Sequence, residues 1–207
     1  MYYKQLLLIL SLSASFFVQA ETSSEKQPNV LLIMVDDLRV ELGAYGGKHV
    51  QSPNIDKLAD QGTRFANAYV SVPVCGASRA SLFTGMRATK DRFKNYYTSV
   101  DKDAPAATTI FEQFKNNGYH TAGYGKIFHQ VQDTAAKSWT SKKAWEWRRH
   151  ARNRGYQLAK NIAEFKATKS GPTTEMFDGP DDAYFDGKLA NKAVETLDKL
   201  AKSEQPF

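Results

Sequence analysis

The feature that most constrains the fold is a continuous apolar run over residues 29–35 that ends abruptly at two adjacent aspartates, Asp36 and Asp37. A short run that is apolar on both faces and bounded by polar residues is typical of a central strand in a parallel sheet. In open α/β sheets, ligands bind beyond the carboxyl ends of such strands. The two carboxylates are therefore well placed to hold a cation, although one of them could instead cap the following turn.

Helix and strand patterns alternate after this run. A helix is predicted over residues 52–62, because a serine, a proline and a final glycine stand at its cap, first and end positions. A second helix is predicted over residues 109–117, and extended segments over 65–72 and 119–124. This alternation predicts an α/β domain with a mostly parallel central sheet flanked by helices.

The single cysteine of the chain, Cys75, lies in a stretch of small residues between Pro73 and Gly85. This pattern predicts a loop that turns into a short helix, with Cys75 at its entrance and Gly85 at its exit. Arg79 would share one face with Cys75, since residues four apart on a helix are neighbours. A thiol at a helix N-terminus is activated by the helix dipole, although a lone cysteine can also be a small buried hydrophobic residue.

The first twenty residues have the pattern of a secretory signal peptide, with cleavage after Ala20 and a polar leader over residues 21–28. The apolar part is shorter than the ~20 residues that a membrane span needs. We therefore expect an exported protein, periplasmic or secreted, with no membrane span after cleavage. In such an oxidising compartment an odd cysteine is buried and inert, paired with another molecule, or consumed in chemistry.

The excess of basic over acidic residues in the chain favours an acidic partner. The formal charge of +6 falls to about +5 once Lys4 is removed with the signal peptide. Trp139, Trp145 and Trp147 lie beside a run of Lys and Arg residues between 142 and 154, a mixture that could bind a sulfated or carboxylated polymer, or a nucleic acid. Export disfavours nucleic acid, so none is expected. The alternative is a surface helix whose aromatic residues pack inward, since Leu158, Ile162 and Phe165 continue a helical stripe.

The last part of the sequence predicts a helix capped by Asp181 or Asp182, with an apolar stripe that includes Leu189 and Leu197. The nearby acids could ligate a metal, but cap and loop positions are the favoured interpretation; they are Asp178, Asp181, Asp182 and Asp186. A strand should follow this helix in a βαβ pattern. We therefore expect the sequence to be the N-terminal part of a longer protein.

Taken in this order, the motifs resemble the formylglycine-dependent sulfatases of the alkaline phosphatase superfamily. The resemblance is carried by residues 29–39, 52–56, 75–85 and 118–129, and the cysteine motif with its trailing Thr84-Gly85 is its most specific part. It implies an alkaline phosphatase-like α/β fold, in which residues 29–207 form the N-terminal part of the catalytic domain.

The resemblance also implies a nucleophile and a cation. Cys75 would be oxidised by a formylglycine-generating maturation enzyme, and the hydrated aldehyde would attack sulfur. Asp36, Asp37 and the modified residue 75 would bind one Ca²⁺. A geminal diol suits this reaction because, after one hydroxyl has been sulfated, the second can collapse to the aldehyde and expel sulfate.

Three further residues take roles from the resemblance. Arg79 would hold the formylglycine hydrate, Lys126 would contact the sulfate group, and His129 would orient or deprotonate the hydroxyls. Ala77 stands where the commonest motif has proline, and this difference bears on which maturation system would act on Cys75. The family pattern also contains further cation ligands, a further histidine and a further lysine, and we expect all of these beyond residue 207. We therefore expect these 207 residues by themselves to lack activity.

The implied substrate is a sulfated sugar, namely a 2-O-sulfated uronate of an oligo- or polysaccharide. Two other functions stay open at the level of sequence. One is hydrolysis of phosphate or phosphonate esters by a related enzyme of the same superfamily. The other is non-catalytic binding of anionic glycans.

Overall fold

A computed structural model of the chain describes residues 27–130, 132–141 and 155–207. The predicted signal peptide, most of the polar leader, and Trp145 and Trp147 with their basic neighbours lie outside these residues. Among the described residues the regular elements are helices: a short 3₁₀ helix over Gly43–Tyr45, α1 over Pro53–Gln61, α2 over Cys75–Thr84, α3 over Val100–Asp103, α4 over Ile110–Asn116, α5 over Ala135–Ser138, α6 over Ala159–Thr168 and α7 over Phe185–Leu200.

The predicted sheet is not confirmed, because none of the described residues is in a β-strand. The segments over 29–35 and 119–124 instead each make a backbone hydrogen bond to residues 206–207. The backbone N–H of Val30 donates to the carbonyl of Phe207 at 2.7 Å, and that of His120 donates to the carbonyl of Pro206 at 2.8 Å. A ladder requires a run of such bonds between neighbours. Here each segment makes its bond to residues 206–207, so the local pattern of an apolar run did not suffice to form a strand.

Helix α2 has the predicted position. It begins at Cys75 and ends before Gly85, which adopts a left-handed φ of 67° that glycine reaches without steric cost. On one side, Ala77 and Ala80 pack with Phe93 and Val100 in an apolar cluster. On the other side, Phe83, the aromatic residue of α2, packs in a second cluster. The helix is therefore held between two cores.

The second cluster is aromatic. The ring of Phe83 lies 4.8 Å from that of Phe111 and 5.3 Å from that of Phe128, and Trp139 lies 4.8 Å from Phe111. Trp139 is 4% exposed. Trp139 therefore packs inward, while the other two tryptophans of its segment lie outside the described residues. This cluster joins α2 and α4 to the residues just after the 119–124 segment.

The helix ends follow the predicted caps in part. Thr109 caps α4 by accepting from the N–H of Glu112 at 3.2 Å. Ser52 precedes α1 as predicted, but its hydroxyl accepts from Gly43 N–H and donates to Asp56 instead of capping the helix. The prediction that Asp181 or Asp182 caps the last helix is wrong. A turn closed by the 2.9 Å bond from Ala183 N–H to the Pro180 carbonyl comes first, and α7 begins only after Tyr184.

The predicted helical stripe after residue 158 is also formed. Leu158 stands just before α6, and Ile162 and Phe165 lie within it. Within the parts of the chain described, no helix has the length and apolar character needed to cross a membrane.

Candidate functional site

Cys75 lies at the edge of a packed region, at the first position of α2, and is partly buried. The next residue must be small. A Cβ added to Gly76 would collide with the carbonyl oxygen of Tyr96 and come within 3.0 Å of that of Asn95. The turn that carries Tyr96 therefore lies directly against the start of α2, and it forms one wall beside Cys75.

Arg79, one turn further along α2, connects three segments of the chain. Its Nη1 donates to the carbonyls of Lys126 at 2.6 Å and Ile127 at 2.7 Å. Its Nη2 donates to Oδ1 of Asp36 at 3.0 Å. The side chain is 6% exposed. These bonds satisfy a buried charge, and they fix the 126–127 backbone relative to the aspartate pair.

Asp36 is shared by two cations, since its other carboxylate oxygen forms an ion pair with Nζ of Lys126. Partial burial opposes the negative charge and would raise the pKa of Asp36. The hydrogen bonds and positive charges of Lys126 and Arg79 outweigh that effect and hold this pKa below its ordinary value. Asp36 is therefore ionised at neutral pH, and the cluster combines one carboxylate with two fixed positive charges.

Helix α7 supports the turn that presents Lys126. Gly125 has a φ of 71°, and a Cβ there would come within 2.6 Å of Cδ2 of Leu189 on α7. The hydroxyl of the neighbouring Tyr124 lies 2.6 Å from Oγ1 of Thr196, also on α7. Packing against this helix therefore leaves the turn little freedom. This explains why a residue without a side chain precedes Lys126.

His129 lies on the same connection as Lys126 and is 6% exposed. Its ring meets the ring of Tyr96 at a centroid distance of 4.0 Å and an angle of 74°. Tyr96 thus contacts the start of α2 through its backbone and His129 through its side chain. This contact was not foreseen in the sequence, where Tyr96 belongs to no recognisable motif.

The predicted cation site is not formed by the described residues, although two of its predicted ligands suit a cation. Asp36 and Asp37 offer hard oxygen ligands of the type that Ca²⁺ prefers, and Ca²⁺ takes about six to eight of them. Asp37 is exposed and has a left-handed φ of 52°. Across residues 27–130, 132–141 and 155–207, no three His, Cys, Asp or Glu side chains form a group that could hold a metal ion. The acids at 178, 181, 182 and 186 accordingly form no metal site there.

The structure thus brings Asp36, Arg79 and Lys126 into direct contact and places Cys75 and His129 on either side of Tyr96. Chemically, the partly exposed ammonium group of Lys126 can attract an anion, and the carboxylates of Asp36 and Asp37 can attract a cation. Sequence reasoning missed Tyr96 and also Asp133, whose carboxylate accepts from the N–H groups of Val100 and Asp101 at the start of α3.

Comparison with known proteins gives one family. A family model described as Sulfatase matches residues 28–207. Iduronate 2-sulfatase of Homo sapiens is 35% identical over 186 residues, covering 86% of this chain and 33% of that protein. Iduronate 2-sulfatase of Mus musculus is 31% identical over 212 residues, covering 95% and 37%. The uncharacterized sulfatase YidJ of Escherichia coli K12 is 29% identical over 187 residues, covering 88% and 37%. The chain spans about a third of the length of these relatives.

Proposed function

The chain belongs to the sulfatase family, and from that premise we propose that it is part of a sulfuric ester hydrolase that removes sulfate from a sulfated sugar. The observation that supports this most is the direct contact of Asp36, Arg79 and Lys126, since Arg79 lies one turn from Cys75 on α2. A sulfate ester resists nucleophiles because its oxygens carry negative charge. Fixed positive charges that offset this charge are what the reaction requires.

The proposed substrate is a 2-O-sulfated uronate of an oligo- or polysaccharide. Two of the relatives carry the name iduronate 2-sulfatase, and both align with more than four fifths of this chain. A relative named arylsulfatase aligns with about half of this chain. The identity of the sugar is therefore proposed separately from the hydrolysis of a sulfate ester.

Cys75 is the proposed precursor of the nucleophile. Conversion to formylglycine by a maturation enzyme would supply a hydrated aldehyde whose hydroxyl attacks sulfur and displaces the sugar alcohol. The position of Cys75 is consistent with this role, since it is partly accessible at a helix entrance rather than packed in a core. It also gives a reason for an exported chain to keep one unpaired cysteine.

The neighbouring side chains then have distinct tasks. Lys126, with its side chain about one-third exposed, contacts the sulfate group. His129, held by Tyr96, orients or deprotonates the hydroxyl of residue 75. Arg79 would hold the formylglycine hydrate, and it also has a structural task. Two of its nitrogens are occupied by the 126–127 carbonyls and by Asp36, so we infer that it also positions these groups.

Asp36 and Asp37, together with the modified residue 75, would hold one divalent cation, Ca²⁺ in this family. That cation would offset charge on the sulfate oxygens. Asp36 also forms ion pairs with Arg79 and Lys126.

We further propose that residues 29–207 are the N-terminal part of the catalytic domain, that residues 1–20 direct export to the periplasm or the cell exterior, and that the activity belongs to the complete gene product. Two other functions are distinguishable by experiment. A phosphate or phosphonate ester hydrolase would use the same charge cluster. A non-catalytic binder of anionic glycans would not need the modification of Cys75.

The test uses the complete gene product, purified from its native host, with matched sulfate and phosphate esters of the same sugar. We expect hydrolysis of the sulfate ester to dominate. Cys75→Ala should remove it, and Lys126→Ala should lower kcat/KM about a hundredfold. Lys90→Ala is the matched control, since Lys90 is an exposed lysine paired with Asp91. Faster cleavage of the phosphate ester, or sulfate hydrolysis that survives Cys75→Ala, would contradict the proposal.

A further inference from the structure

Two neighbouring tyrosines, Tyr96 and Tyr97, are displayed at the tip of a tight turn. Thr98 N–H donates to the carbonyl of Asn95 at 3.2 Å, and Tyr97 N–H donates to Oδ1 of Asn95 at 2.9 Å. These bonds fix the turn locally, as is common where asparagine begins a turn. Tyr96 is 51% exposed and Tyr97 is 75% exposed. Both rings therefore present much of their surface to solvent.

The turn lies at the candidate site. The ring of Tyr96 packs edge-to-face on His129, and its carbonyl lies against Gly76, the neighbour of Cys75. The ring of Tyr97 meets that of Tyr96 at 5.5 Å and 90°. The rings of His129, Tyr96 and Tyr97 thus form a continuous series, and its last member, Tyr97, is largely exposed to solvent.

The turn is also anchored at both ends. Phe93 and Val100, which flank it, are completely buried in the cluster that packs on α2. Asp133 accepts from Val100 N–H at 2.9 Å, and Thr134 N–H donates to Asp101 at 2.8 Å. These bonds join the turn to the segment that follows His129. The two tyrosines are consequently held in place before any ligand arrives, which reduces the entropic cost of binding.

We propose that Tyr96 and Tyr97 form a subsite that binds the ring of the sugar bearing the sulfate ester. A pyranose has an apolar C–H face that packs on an aromatic ring, and a tyrosine hydroxyl can bond to the sugar hydroxyls at the rim. The backbone of Tyr96 lies against Gly76, the neighbour of the residue that would attack sulfur, so a sugar held on these rings would lie close to residue 75. This inference rests on the proposed function and adds the part of the protein that recognises the sugar.

Tyr97 is the residue to change, because it contacts Tyr96 but has no contact with His129 among the ring pairs of the structure. We expect Tyr97→Ala in the complete gene product to raise KM for a 2-O-sulfated uronate glycoside about threefold to tenfold, the range of one aromatic contact, with kcat unchanged. Tyr97→Phe keeps the ring and loses only the hydroxyl, so its KM should lie between that of the unaltered protein and that of Tyr97→Ala. Methyl sulfate, which has no sugar ring, should be hydrolysed equally by both variants.

A binding measurement separates this inference from the proposed function. Calorimetry with the sulfate-free uronate glycoside should show weaker binding to Tyr97→Ala than to Tyr97→Phe, by the same threefold to tenfold. If the protein binds this sugar through Tyr97 but hydrolyses no sulfate ester, the subsite stands and the proposed reaction fails. If the sulfate ester is hydrolysed with equal KM in Tyr97→Ala and Tyr97→Phe, the subsite is overturned. Absence of sugar binding to the unaltered protein would also overturn it.

Discussion

Helix α2 and the segment over residues 29–35 are both rich in apolar residues, yet they differ greatly in burial. In α2, Ala77 is 0% exposed and Phe83 is 2% exposed. In the preceding segment, Leu31 is 60% exposed and Ile33 is 72% exposed. Apolar composition therefore does not decide which part of this chain is packed.

The difference follows from how each backbone satisfies its hydrogen bonds. A helix satisfies them within itself and needs only a surface on which to lay its apolar side chains, which α2 finds in two clusters. An extended segment has no such internal bonds, so its N–H and carbonyl groups must bond to another segment or to water. At the start of the 29–35 segment, Val30 bonds in this way to Phe207. The packed region therefore fixes Cys75 and Arg79, whereas Asp36 follows the extended segment and is held by its ion pairs with Arg79 and Lys126.

The largest effect is expected at the centre of the packed region. Phe83→Ala removes a buried ring that contacts Phe111 and Phe128, and it should lower the free energy of unfolding by about 3–5 kcal/mol. Leu82→Ala is the matched control on the same helix, since Leu82 is 59% exposed, and it should cost less than about 1 kcal/mol. Urea unfolding followed by circular dichroism measures both. Equal costs would remove the distinction between the buried and exposed faces of α2.

Arg79→Ala should have the next largest effect. It leaves two carbonyls and the Asp36 carboxylate without their buried donor, so we expect a loss of about 3 kcal/mol of unfolding free energy. Arg39→Ala, which removes an exposed pair with Glu41, should cost no more than about 0.5 kcal/mol. The same unfolding measurement tests the pair of variants. A loss at Arg79 as small as that at Arg39 would show that Arg79 does not hold the site together.

A smaller effect is expected at the start of α4. Thr109→Val keeps the shape of a residue that is 0% exposed but removes the hydroxyl that caps Glu112 N–H. The expected cost is about 1 kcal/mol, the usual value of a helix cap. Thr109→Ser keeps the hydroxyl and serves as control. If Thr109→Ser is the more destabilising of the two, packing rather than capping governs this helix end.

The smallest effect is expected in the extended region. Ile33→Ser exchanges a side chain that is 72% exposed, so it should change the unfolding free energy of the 207-residue chain by no more than about 0.5 kcal/mol. Ala80→Ser on α2, at a position 3% exposed, should cost more. A reversed order would mean that the 29–35 segment is packed in solution.

The sequence predicted the helices of the packed region better than the extended segments. The bounds of α2 and the position of α4 are local properties, and the sequence predicted them correctly. The strands over 29–35 and 119–124 depend on partners distant in the sequence, and the described residues do not form them. The cap of α7 was misplaced because the turn at Pro180 provides a local alternative to a longer helix.

Residues of the candidate site could be predicted when they lie in a recognisable motif, and not otherwise. The resemblance pointed to Asp36, Arg79 and Lys126, and these three residues are in contact; their roles and those of Cys75 and His129 stay predictions. Tyr96 belongs to no motif and reaches His129 only through the folding of a turn 33 residues away in sequence. Contacts of this kind have no local signal, so they could not be read from the sequence.

The fate of the sulfur at residue 75 tests the central claim most directly. Mass spectrometry of the peptide containing Cys75, from protein made in its native host and treated with a thiol-alkylating reagent, distinguishes the two outcomes. We predict a peptide that is lighter than the thiol form by about the mass of one water molecule and that is not alkylated. A peptide that carries an intact, alkylated thiol would contradict the account and favour a protein that binds anionic glycans without cleaving them.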